Sequence, residues 1–394
     1  MKLSNNSRLL RSLILYFIIL HNTSYSLNNS PTTSLKGQLQ KCYKLDDVLR
    51  FSADLTIDND PNGLVSSLTF IRLTKQLISM DNNNKSNNEW KLDIVKKNKR
   101  SWTQLCDITA TAIDKIHYND KAVATQIDPY IESIKCLAVI SRILPNLGEG
   151  CWNPCLEHFE KKSDGFVKVL EPQQLSGIKW AYDCLNLQQQ HALKLPQSIQ
   201  NRYNELELPF RIHPSLCLIS DFTLQRLQSQ VDFQVELIKT QSNKVVRERR
   251  QTAWEGDRGV PDFQYSGKSM KRQSWSPLVE SVRDTLWKHT EKYYDGCLLN
   301  LYPDGGSGMR YHIDPDQGTQ WDYDTAVVSV GATRRFSFRE IVSSPPHNFV
   351  VMDGDVVEMV EDCQTRFQHT VKTAEDKNEQ AARASLVFKR TFRQ

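Results

Sequence analysis

The chain has 394 residues, with 50 Lys and Arg against 46 Asp and Glu and a formal net charge of +4. So even a balance excludes a basic surface over the whole molecule, and any nucleic-acid contact has to be local. The length gives room for two or three domains, and nine cysteines, an odd number without paired spacing, fit a reducing interior better than a disulfide framework.

At the N-terminus Lys2, Arg8 and Arg11 precede the apolar run from Ser12 to Leu20, and Ser24 to Ser26 offers small residues for cleavage. The run is too short to span a bilayer comfortably, so no stable membrane association is expected. No acidic residue occurs before Asp46. A signal peptide over residues 1–26 followed by a hydroxylated, acid-free stretch resembles the bipartite presequence of algae with complex plastids. Residues 1–45 are therefore read as a targeting segment for an organelle, a plastid first and a mitochondrion next, with plain secretion as the alternative.

Residues 46–215 read as all-helical. Leu64 to Leu77, Trp102 to Ile116, Pro129 to Leu144 and Leu175 to Leu187 carry apolar residues at three-to-four spacing. Pro145 is a breaker and Pro172 opens a helix. The polar tract Asp81 to Asn88 reads as a disordered loop. Glu171-Pro-Gln-Gln-Leu175-Ser-Gly-Ile-Lys-Trp180-Ala181-Tyr182 resembles one helix of the octotricopeptide-type repeats of organellar RNA-binding proteins. Stacked helix pairs would make an α-solenoid; a non-repeating bundle packed on the next domain is the equal alternative. Cys151 and Cys155 with His158 make half a zinc site, without a convincing second half.

Residues 216–394 change in kind. Val282 to Trp287 reads as part of a helix against a sheet, whereas Ala326 to Phe338, Asn348 to Met352 and Ser385 to Phe388 read as strands. Asp304 to Gly308 lacks the ending of a phosphate loop and reads as a flexible turn before a strand carrying His312. In such a strand His312 and Asp314 share a face, with Ile313 packed behind them, and His369 follows 57 residues after His312. Two imidazoles and one carboxylate leave half of an Fe(II) coordination sphere open. The same period puts Asn300 beside Tyr302, and Arg383 in line with Ser385 and Lys389. Arg383 and Lys389 are available to hold a carboxylate-bearing co-substrate. Lys244 to Arg283 carries nine Lys and Arg against five Asp and Glu, interleaved with Trp254, Phe263, Tyr265 and Trp275. That pairing of cations and rings suits a strand with an extruded base.

From Arg249 to Arg393 these motifs, in this order, resemble the AlkB family of Fe(II)/2-oxoglutarate dioxygenases. Arg250-Gln-Thr-Ala-Trp254 and Phe263-Gln-Tyr265-Ser-Gly267 are similar to its nucleotide-recognition segment, and Trp275-Ser-Pro277-Leu278 to the start of its first core helix. Val327 to Arg339 is similar to the strand pair after its metal motif. The resemblance implies an α+β chain ending in a double-stranded β-helix, or jelly roll, of two antiparallel sheets. It implies iron on His312, Asp314 and His369; 2-oxoglutarate on Asn300, Tyr302, Arg383, Ser385 and Lys389; and O2 as second co-substrate. It also implies base stacking by Tyr265, with Phe263 beside it, and reading of an exocyclic amine by Asp316. The family usually has Arg where Lys389 stands and often Asn at Ser385. Lys keeps the charge but loses the planar fork, so this departure bears on the co-substrate more than on the iron. Arg390 falls on the opposite strand face.

The expected activity is oxidative demethylation of N-alkylated bases in RNA or DNA, releasing formaldehyde and succinate. The alternatives are a protein or lipid hydroxylase with an AlkB-like core and a non-catalytic organellar RNA-binding protein.

Overall fold

The computed structural model describes residues 31–392, apart from 85–87, 116–122, 188–192, 236, 240–243, 266, 343–344 and 377–378. The signal-peptide reading of residues 1–26 lies outside the described residues, as does the centre of the Asn-rich tract.

Nine helices are described before the first strand: α1 (Pro31–Gln40), α2 (Leu45–Ala53), α3 (Leu64–Asn83), α4 (Glu89–Lys97), α5 (Lys99–Asp114), α6 (Val123–Ile143), α7 (Glu149–Phe166), α8 (Pro172–Asn186) and α9 (Gln197–Asn204). Helix α1 lies within the stretch read as presequence, and its Leu39 is buried in the same core as α3. Apolar spacing explains the buried stripes, such as Val65, Phe70, Leu73 and Leu77 on α3. Asp60 caps α3 by accepting the Val65 and Ser66 N–H groups at 3.0 and 2.7 Å. Pro172 sits in the first turn of α8, where Gln174 accepts the Glu171 N–H at 2.7 Å. Pro145 follows α6 and opens a single 3₁₀ turn.

These helices pack in two rows. One row runs α2, α5, α7, α9, the other α3, α6, α8, and neighbours pair across the rows. The second row meets the sheets through Lys75, Asn82, Arg142 and Ser176. The Asn-rich tract is thereby corrected: Asp81 and Asn82 are buried in the last turn of α3. Asp81 pairs with Lys91 at 2.7 Å, and Asn82 bonds Glu379 and the Thr333 backbone. Partners distant in the sequence, absent from any local view of it, hold Asp81 and Asn82 in place.

Two antiparallel sheets follow. The larger has the order β1 (Phe210–His213), β11 (Val356–Met359), β8 (Trp321–Gly331), β13 (Arg383–Thr391), β7 (Gly296–Tyr302), β4 (Gln251–Gly256). The smaller is β10 (His347–Val351), β9 (Arg334–Glu340), β12 (Phe367–Val371). Strand alternation divides the residues cleanly. Leu298, Val327 and Val387 point inward and pack with Phe336, Phe338 and Phe367 of the smaller sheet. Leu299, Val328 and Leu386 point outward against Val279, Val282 and Leu286 of α10 (Pro277–Thr290). Phe210 stacks on Phe338 at 4.0 Å, joining the sheets at one end. Two sheets facing across one core are what a jelly roll requires. Helix α8 lies along β10, an edge strand of the smaller sheet, and so covers a row of otherwise exposed backbone groups.

Candidate active site

After β7 the chain turns through Asp304–Gly308 and runs beside β12. The turn is tied down: Gly305 N–H donates to Glu379 O at 2.6 Å and Ala374 N–H to Gly305 O at 2.8 Å. At Gly308 a Cβ would meet Thr373 N and Val371 O at 2.9 Å, so only glycine permits this approach. Met309 N–H then bonds Val371 O, and His312 and His369 exchange backbone hydrogen bonds at 3.1 and 2.9 Å.

This corrects the expected strand. His312 makes one isolated bridge to His369, and the chain turns away at Pro315 and Asp316. Ile313 does not pack behind the ligands but is 48% exposed. The three side chains converge all the same. Asp314 Oδ1 lies 3.7 Å from Nε2 of both His312 and His369. His312 Nδ1 is 2.9 Å from Arg310 O, which sets Nδ1 as the donor and leaves the Nε2 lone pair for a metal. Gln364 Oε1 accepts the Asp314 N–H at 3.0 Å, and Phe336 stacks parallel to His369. Burial pushes the Asp314 carboxyl up, but Lys389, His369 and His312 outweigh it and hold it well below the usual carboxylate range. Burial and the neighbouring His312 push His369 down to about 3, so its imidazole is neutral.

Strand β13 brings the other expected residues in. Arg383 pairs with Tyr302 and Ser385 with Asn300 across to β7. Asn300, Tyr302 and Ser385 line the cavity that contains His312, Asp314 and His369. Arg383 stands 5.6 Å over the Tyr302 ring; it is 1% exposed, and burial pushes it down to about 10. Its Nη2 donates to Ser329 Oγ at 3.0 Å, while Nε and Nη1 have no partner among the described residues. Asn300 Oδ1 is likewise buried and unpaired. Lys389 departs from expectation. Its Nζ sits 2.8 Å from Asp314 Oδ2, on the metal-facing carboxylate. Lys389 and Arg383 share a face but stand about 20 Å apart along the strand. Arg390 points the other way and pairs with Asp322 at 2.6 Å.

On the substrate side Tyr265 and Phe263 lie on β5 (Phe263–Tyr265), and both line the cavity. Phe263 is fully buried between Trp254 and Trp321 at 4.9 and 5.7 Å, so its position is that of ordinary core packing. Tyr265 is half-buried, with Arg250 at 4.9 Å and Lys268 at 5.6 Å from its ring centre. Asp316 is exposed in a left-handed turn and does not line the cavity. Its backbone oxygen, not its carboxylate, organises the turn by accepting the Gln320 and Trp321 N–H groups. Sequence reasoning missed Arg250 as a lining residue, although it opens the motif quoted for nucleotide recognition. Gln364 carried no signal at all.

Residues 220–390 match the sequence profile of the 2OG-Fe(II) oxygenase superfamily. The C-terminal domain is an AlkB-like 2OG-Fe(II) oxygenase. It is similar to the uncharacterized protein R406 of Acanthamoeba polyphaga mimivirus, 28% identical over 35% of this chain and 72% of that protein. It is also similar to the DNA oxidative demethylase ALKBH2 of Bos taurus, 28% identical over 36% of this chain and 52% of the relative. Human ALKBH2 is likewise 28% identical, with 56% of its length covered. The chain thus spans about half the length of the ALKBH2 proteins it matches. Among solved structures, OsALKBH1 is 16% identical, with a TM-score of 0.34 over 47% of this chain and 99% of that one.

An oxygenase of this superfamily is an Fe(II)- and 2-oxoglutarate-dependent dioxygenase. The residues present fit both groups. Two imidazoles and a carboxylate are a donor set for Fe(II) with open positions left over. A buried guanidinium with two nitrogens unpaired among the described residues is costly without an anion, and a 2-oxoglutarate carboxylate supplies one.

Proposed function

We propose that this oxygenase removes N-methyl groups from alkylated bases, such as 1-methyladenine or 3-methylcytosine, in RNA or DNA. When bound, iron and 2-oxoglutarate supply O2-dependent hydroxylation of the methyl carbon, with succinate and CO2 as co-products. The hydroxymethyl amine so formed loses formaldehyde and restores the base. His312, Asp314 and His369 would hold the iron. Arg383, with Asn300, Tyr302 and Ser385, would hold the co-substrate, and Lys389 fixes the Asp314 oxygen that does not face the imidazoles.

The observation that carries the reading is Tyr265, an aromatic ring in the wall of the cavity that contains His312 and His369. A flipped base needs such a stacking surface within reach of the metal ligands. The likeness to proteins named DNA oxidative demethylase supports a nucleic-acid substrate. The two rows of stacked helices support the α-solenoid reading, with the second row packed on the sheets and the first turned away from them. An organellar destination is proposed from residues 1–45, the signal peptide and the acid-free stretch after it, and imaging these residues fused to a fluorescent protein tests it.

Stacking is worth roughly 1–3 kcal/mol per base by alanine substitution. Tyr265→Ala is therefore expected to lower formaldehyde release from methylated oligonucleotides by about one to two orders of magnitude. Tyr265→Phe should retain most of it, because the ring is what stacks. Succinate formation without oligonucleotide should persist in both variants. Parent-like demethylation by Tyr265→Ala would remove the base-stacking role.

A further inference from the structure

The metal segment has a second face. His312 points into the cavity, whereas its neighbour Tyr311 stands among cations: Arg339 and Lys372 each lie 4.1 Å from its ring centre. Arg335 and Arg339 alternate with the inward-pointing Phe336 and Phe338 on β9, so they share the outer face of the smaller sheet. Lys372 continues β12, its backbone N–H bonded to Arg335 O at 2.9 Å. The helical half adds Lys75 of α3, which meets Arg335 through one shared carboxylate: Glu375 lies 3.0 Å from Lys75 and 3.3 Å from Arg335.

We propose that Arg335, Arg339, Lys372 and Lys75 form a track for the phosphodiester backbone of the polynucleotide that carries the target base. The proposal rests on the nucleic-acid reading above. Four cations share this surface with Glu375. Among the described residues no carboxylate pairs with Arg339 or Lys372; Arg339 donates to the neutral Gln368 at 2.6 Å. Burial, with Arg335 and Arg339 nearby, pushes the Lys372 amine below its ordinary range. Like charges assembled in this way repel until an anion joins them. Tyr311 holds two of them fixed through cation–π contacts, so little side-chain freedom is lost when phosphates bind. Arg335 and Arg339 are four residues apart, about 13 Å along a strand, which matches about four nucleotide steps at the ~3.4 Å axial rise of one strand in a duplex. The segment 309–312 carries Tyr311 on this face and His312 in the cavity, so one strand crossing it can lay its backbone on the cations and turn a base inward.

The test is binding, independent of turnover. Fluorescence anisotropy of a labelled, unmodified single-stranded oligonucleotide is measured across a salt series for the full chain and its variants. Each lost phosphate contact lowers the slope of log K against log salt by about 0.7. Arg339→Gln, at an exposed position that should not disturb folding, is expected to lower the slope by about 0.7 and to weaken binding several-fold. The double variant Arg339→Ala/Lys372→Ala should lose about 1.4 from the slope and about tenfold or more in Kd at low salt. Charge-preserving Arg339→Lys/Lys372→Arg should keep the parent slope. Succinate formation without oligonucleotide should be unchanged throughout. An unchanged Kd and slope in Arg339→Gln and the double variant overturns the track. So does a parent chain that binds no oligonucleotide, which would leave an acidic protein surface as the occupant. A parent that binds through these cations yet demethylates no base would overturn the proposed activity while leaving the track standing.

Discussion

At the scale of single residues the site is an arrangement of charges around Asp314. One oxygen faces both imidazoles and the other faces Lys389, so the carboxylate is divided between a metal position and a fixed cation. Asp314→Ala removes the anionic ligand, and 2-oxoglutarate turnover should fall to background with iron no longer retained after gel filtration. Persistent turnover with bound iron in that variant would refute the triad. Lys389→Ala leaves one Asp314 oxygen unpaired in a buried site. We expect weaker iron retention together with a higher apparent KM for 2-oxoglutarate, and Lys389→Arg should restore both. Arg390→Ala should move neither quantity, because Arg390 pairs with Asp322 on the other face. Iron content and KM, measured side by side on the three variants, decide this. The shared face of Arg383, Ser385 and Lys389 was legible because side chains repeat every two residues in a strand. The partner of Lys389 was not, since the contact closes a gap of 75 residues that no local pattern encodes.

At the scale of elements the junction of α8 with β10 is pH-sensitive. Ser176 Oγ lies 2.8 Å from His347 Nδ1, and burial pushes this imidazole down to about 4. A histidine whose folded pKa is depressed is neutral in the fold and takes up a proton more readily when unfolded. Its stabilising contribution is therefore complete above about pH 6.5 and is lost as the pH falls from there towards 4. Melting temperatures from pH 7.5 to 4 should decline more steeply for the parent than for His347→Gln, which cannot titrate; equal slopes would show that another group governs the acid limb. The helices and strands themselves were readable wherever the apolar period was sustained, as in α3, α8 and β8. The His312 segment was not, because its path is set by Gly308 against β12 and by one bridge to His369, both non-local.

At the scale of the molecule, Arg142 of α6 holds the helical half to the sheets. Its guanidinium is bidentate on Asp355, at 2.8 and 2.6 Å, and also reaches Ser215 Oγ. Asp355 is fully buried and accepts the Ser215 and Met352 N–H groups as well. Removing the arginine strands a buried carboxylate, which costs about 3–5 kcal/mol. Arg142→Ala should lower the urea midpoint accordingly; a loss below about 1 kcal/mol would mean that the pair is not the clamp its geometry suggests.

By itself the sequence determined the chemistry. Ligand identity and strand parity are local properties, and both are written in residue type and a period of two. The sequence also determined the two-part plan, because a change from three-to-four spacing to alternation marks where helices give way to sheets. Only the tertiary structure decided which side each group would take. It put Lys389 on Asp314 rather than beside Arg383, packed Phe263 fully buried in the cavity wall with Tyr265 half-buried beside it, and buried Asp81 and Asn82 in the last turn of α3. Those outcomes depend on which distant surfaces meet, and a buried charge or amide is tolerated only where a partner from elsewhere in the chain arrives to satisfy it.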